Sequence, residues 1–164
     1  MGFLVRRASP LVVTIMAVRL VTGEGIKKLP MPDASAQAEA MKSVREVYGA
    51  DYGRARTPVD RAALAERLRK DAAQEKDDRV ARFVMLRFAR DIAANAADVA
   101  TAMRAVDEMS AGYAIDAMPM RLDVLAAASN AASTPAEHKS LVEGALSVVR
   151  AAVPFPKILA ASIA

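Results

Sequence analysis

At 164 residues, with 54% apolar side chains and a mean hydropathy of +0.16, the chain has the size and composition of one folded domain rather than of a disordered segment. Aromatic residues make up 4% and tryptophan is absent, while abundant alanine favours helices but buries little area per residue, so close-packed helices of modest stability are expected. The absence of cysteine excludes disulfides and thiolate chemistry, and a single histidine, His138, excludes a histidine-built metal centre.

Residues 1–23 run from Arg6-Arg7 through an apolar stretch, Ala8–Val18, to small residues ending at Gly23. Eleven residues are too few for a bilayer core of about 30 Å, so this order reads as a secretory signal rather than a membrane anchor. Cleavage after Gly23 and an exported (periplasmic or extracellular) product are expected; a cytoplasmic protein that keeps residues 1–23 is the alternative. These residues also hold most of the net charge of +4. With Arg6, Arg7 and Arg19 set aside, 20 basic residues face 19 acidic ones, a net of +1. The pI of 9.6 therefore does not imply a phosphate-binding surface, and no specific nucleic-acid partner is expected.

Residues 24–32 form a short leader in which Pro30 and Pro32 favour an extended chain, and Asp33 is placed to cap the first helix. From there the apolar spacing is three and four, never two. Met41, Val44 and Tyr48 mark one helix; Leu64, Leu68 and Ala72 a second; Val80, Val84, Phe88 and Ile92 a third. Val99, Ala102, Val106, Met109 and Tyr113 mark a fourth, Met118, Leu122 and Leu125 a fifth, and Val142, Leu146, Val149 and Val153 a sixth. Thr57-Pro58 and Thr134-Pro135 each set a threonine at the N-cap and proline in the first turn, with Asp60 and Glu137 at the third helical position. Asp77 or Asp78, Asn95 or Asp98, and Asp116 are the further caps.

The two Thr-Pro caps expose a repeat: TPVDRAALAERL at 57–68 aligns with TPAEHKSLVEGAL at 134–146. Half the offset superposes Asp60 on Asp98 and Leu68 on Val106, a period in the range of helical-hairpin solenoids. The fold class predicted is all-α: antiparallel hairpins 34–50/58–75, 78–95/98–112 and 115–132/135–153, stacked as a short solenoid or bundle over 33–153. The runs KKLPMPDASAQAEAMKSVREVYGADY and TPVDRAALAERLRKDAAQEKDDRVARFVMLRFARDIAANAADVATAMRAVDEM resemble a tetratricopeptide-like helical-repeat region found after the signal peptide of many exported bacterial proteins of unassigned function. The resemblance spans about residues 27–150 and implies an α-helical, tetratricopeptide-like module ahead of further domains, with no catalytic residues to transfer.

No Walker loop, GxSxG elbow or GxGxxG occurs, and no catalytic, cofactor-binding or metal-binding residues are assigned. His138, next to Glu137, reads as a solvated surface residue. The arginines at 79, 82, 87 and 90 with Asp77, Asp78 and Asp91 read as an ion-paired face, and Asp107-Glu108 as exposed helix residues. GADYGRAR at 49–56 is the most loop-like interior stretch, and Tyr48, Asp51, Tyr52, Arg54 and Arg56 form the candidate recognition patch, against a plain connection with a buried tyrosine. The expected function is a non-enzymatic scaffold or protein-interaction module, with a cytoplasmic regulatory protein binding a partner helix as the alternative and an enzyme using carboxylates and arginines as a third reading. The apolar tail 154–164, behind Pro154 and Pro156, is too short to span a membrane and is expected to fold back over the sixth helix or to pair between chains.

Overall fold

A computed structural model of the chain describes residues 28–153, so the expectations for residues 1–23 and 154–164 lie outside the described residues. Six helices follow one another: α1 (Ala34–Arg54), α2 (Pro58–Gln74), α3 (Arg79–Asn95), α4 (Val99–Gly112), α5 (Ala117–Ala131) and α6 (Pro135–Ala152). Each begins where local chemistry dictates. The carboxylates of Asp33, Asp78, Asp98 and Asp116 accept from free backbone N–H groups of the first turns of α1, α3, α4 and α5. Both Thr-Pro sites close full capping boxes, Thr57 with Asp60 and Thr134 with Glu137. Between α3 and α4 the turn is tight: Asp98 N–H donates to the Ala93 carbonyl at 2.9 Å, across Ala97, whose φ of 58° is left-handed.

Every helix packs only on helices one or two places away in the chain. The result is two layers, α1, α3 and α5 in one and α2, α4 and α6 in the other, with α3 touching α1, α2, α4 and α5. This central position explains why α3 is buried nearly all round, through Phe83, Val84, Leu86, Ala89, Ile92 and Ala93. Leu68, Val84, Leu86, Val106 and Met109 fill the centre, each worth about 1.5–3 kcal/mol when fully covered, and Ala65, Ala72, Ala89 and Ala102 let the backbones approach. Tyr113 closes the end of the core. Its hydroxyl donates to the Arg79 carbonyl at 2.6 Å, and its ring meets Phe83 edge-on at 4.9 Å.

Several expectations need correction. The first hairpin is not tightly packed: α1 lies mainly on α3, and it is joined to α2 largely by polar side chains. In α5 the buried residues are Val124 and Ala128, whereas Leu122 is 53% exposed. In α6 the expected core stripe of Val142, Leu146, Val149 and Val153 faces outward, and Val148 is buried instead. Glu108 is not an exposed helix residue. It is half-buried and paired with Arg69 of α2, which also holds Glu66 at 2.8 Å, while Asp107 beside it is exposed and meets Arg121 at 2.7 Å. Hydrogen bonding by Arg69 holds the Glu66 carboxyl down at about 2.

The leader is tied to this body. Leu29 N–H donates to the Gly112 carbonyl at 2.9 Å, and Ala114 N–H donates to the Leu29 carbonyl at 2.7 Å, a single parallel bridge beside Tyr113. Leu29 packs its side chain against the core.

Candidate functional site

The segment 49–56 is not a loop. α1 continues through it to Arg54, and a Cβ at either Gly49 or Gly53 would meet nothing within 4 Å. The helix stops only where Ala55 and Arg56 lead into the Thr57 cap.

This continuation divides the candidate patch into two parts. Tyr48 is buried; its hydroxyl donates to Asp71 Oδ2 at 2.8 Å, and the Arg67 guanidinium lies 5.7 Å from its ring centroid. Burial, and then the bond and charge of Asp71, push the hydroxyl up to about 12. Arg67 also donates to Asp51 at 2.9 Å, and Arg54 pairs with the same carboxylate, whose pKa lies below its ordinary value chiefly because of Arg54. Tyr48, Asp51, Arg54, Arg67 and Asp71 thus form a strut between α1 and α2. A shallow hollow of about 370 Å³ beside it is lined by Asp51, Arg54, Asp60, Leu64 and Arg67. Arg56 is exposed next to it.

Tyr52 belongs to a different surface. It is 46% exposed, and its ring sits 5.7 Å from that of Phe88 on α3. Together they line a cleft of about 420 Å³ with Arg61, Asp91 and Asn95. Further along the same layer, a hollow of about 550 Å³ is enclosed by Met31 of the leader, Gln37 of α1, Phe83 and Arg87 of α3, Ile115 and Asp116 of the α4–α5 turn, and Met120 of α5. A smaller one, about 130 Å³, lies between α3 and α5 at Arg90, Asp123 and Ala127. The α1–α3–α5 layer therefore carries hollows in which apolar walls alternate with polar groups, the Tyr52 cleft lying at its edge with α2 through Arg61. Arg87 donates to Gln37 Oε1 at 2.5 Å, and Arg90 to Asp91 at 2.6 Å.

Of the five patch residues only Tyr52 lines a hollow of this layer. No local motif marks Arg87, Met31, Ile115 and Met120 as site residues, because the leader, α1, α3, the α4–α5 turn and α5 together supply the surface. Phe88 belongs to the core stripe by its spacing, and its half-buried position at the groove edge serves both packing and surface. His138 is exposed on the first turn of α6, as its sequence context suggests. Among the described residues no three His, Asp or Glu side chains converge as metal ligands, and no helix is long and apolar enough to cross a membrane. Compared with protein-family models, curated proteins and solved structures, the chain matches none of them.

Proposed function

We propose that the chain is a non-enzymatic, tetratricopeptide-like interaction module of an exported bacterial protein, and that the α1–α3–α5 layer takes an extended segment of a protein partner. The observation that carries this reading is the set of hollows along that layer, with Met31, Phe83, Ile115 and Met120 offering apolar contact and Arg87 a guanidinium within the same cavity. Such a surface suits a peptide bearing an apolar side chain near a carboxylate, since guanidinium groups pair carboxylates in a forked geometry. Stacked helices that touch only near neighbours expose such faces without any reactive group. Export rests on the charge–apolar–small order of residues 1–23.

Panning a random peptide library against the full chain tests the binding face. Binders are expected to be lost on Met31→Lys and Met120→Lys and kept on Val47→Lys, an exposed position of α1. Failure to recover any binder, or binders indifferent to both methionine changes, would refute the assignment. Intact-mass analysis in a bacterial host tests export: a start at Glu24 is expected, and a cytosolic product retaining Met1 would instead favour the cytoplasmic regulatory reading.

A further inference from the structure

α6 is apolar on two faces. Leu141, Gly144, Ala145 and Val148 turn inward, and a Cβ at Gly144 would lie 2.6 Å from Val99 Cγ1 and 3.4 Å from Leu125 Cδ2. The other face carries Val142, Leu146 and Val149 and is continued by Val153 at the C-cap; the four are 58%, 49%, 57% and 49% exposed. Among the described residues α6 packs only on α4 and α5, so no helix covers this stripe. Its spacing of four, three and four is the seam pattern of a two-helix coil.

We propose that two copies of this chain pair through that seam, their α6 helices antiparallel about a two-fold axis between Leu146 and Val149. In this register Leu146 of each copy meets Val149 of the other, and Val142 meets Val153. The charges select the antiparallel arrangement. Glu143 and Arg150 occupy the same flanking position one heptad apart, so antiparallel pairing sets each copy's Glu143 beside the other's Arg150, twice by symmetry. Parallel pairing would set Arg150 beside the other copy's Ala145 and Glu143 beside its His138, so Arg150 would gain no acidic partner. Among the described residues of one chain, Glu143 meets only the exposed end of Lys139 at 3.9 Å. Residues 154–164 carry Lys157 and no acid, so they offer Arg150 no partner, whereas a second α6 does. The seam is about 17 Å long at 1.5 Å per residue, too short for a tight dimer, and association in the micromolar range is expected.

Sedimentation of the full chain, from low to several hundred micromolar, is the test. A monomer–dimer equilibrium is expected that Glu143→Arg or Arg150→Glu alone weakens by about tenfold and that the double charge swap restores. Leu146→Asp should leave a monomer with unchanged helical content and Tm. A monomer at every concentration would overturn the proposal, as would a dimer indifferent to the charge swaps. So would a monomer that dimerises only after removal of residues 154–164, because the tail would then be the occupant of the seam.

Discussion

In α4 the residues that recur every three and four positions, Val99, Ala102, Val106, Met109 and Tyr113, are all buried; in α6 the equivalent set, Val142, Leu146, Val149 and Val153, is all exposed. The two helices differ in their neighbours rather than in their patterns. α4 has α2, α3, α5 and α6 around it, whereas α6 has α4 and α5 on one side only. An apolar stripe identifies the face of a helix that seeks a partner, without saying whether that partner belongs to the same domain. At α6 the domain takes the narrower face because Gly144 permits close approach, and the broader stripe is left outward.

The sharpest way to break this contrast is truncation at equivalent positions. Leu68→Ala, at the centre of the core, should cost about 2–5 kcal/mol in urea unfolding. Leu146→Ala, measured at concentrations low enough to keep the protein monomeric, should cost less than about 1 kcal/mol. Equal losses would mean that the outer stripe of α6 is covered within one chain.

Gly144→Ala reverses an ordinary expectation. Replacing a glycine inside a helix normally gains about 0.5–1 kcal/mol. Here the added methyl would overlap Val99, and a net loss of about 1–2 kcal/mol is expected, with the effect confined to α6 in hydrogen exchange. A stabilised variant would show that α6 is held loosely on α4 and α5.

Ala97→Gly should act in the opposite sense on the α3–α4 turn. The left-handed φ of 58° is costly for alanine and free for glycine, so a gain of up to about 1 kcal/mol in thermal unfolding is expected after glycine's greater unfolded-chain entropy is counted. The smallest effect concerns the Glu66–Arg69–Glu108 bridge between α2 and α4. Glu66 has its folded pKa lowered from 4.5 to about 2, so its contribution is complete above pH 4.5 and is lost as pH falls from 4.5 through 2. For this half-buried network the contribution should be about 1 kcal/mol, and Glu66→Gln should flatten the acid limb of stability without moving its neutral value by more than that.

How far the sequence reaches follows the same division. Four of the six helix caps are visible in it and the other two are narrowed to a pair of residues each, because capping is a contact between residues two or three positions apart. The cores of α2 and α4 are visible because the stripes there have partners inside the chain. The end of α1 was obscured by Gly49 and Gly53, which suggest a loop although the helix runs through both. Tyr48 and Asp51 could be picked out as unusual, but their task as a strut depends on Arg67 and Asp71 of another helix. The hollows of the α1–α3–α5 layer have no local signature at all, since Met31, Arg87 and Met120, from the leader, α3 and α5, meet only once the chain is folded.

The bridge at Leu29 bears on the order of folding events. Contacts between helices one or two places apart form from short stretches of chain, which favours rapid assembly of the two layers. Among the described backbone hydrogen bonds outside the helices, the Leu29 pair alone joins residues far apart in the sequence, from before α1 to the end of α4. Closing that loop carries the largest entropic cost of any such bond and cannot begin until Gly112 and Ala114 are in place, so on a ribosome the first described residues of the chain are seated only after α4 has emerged.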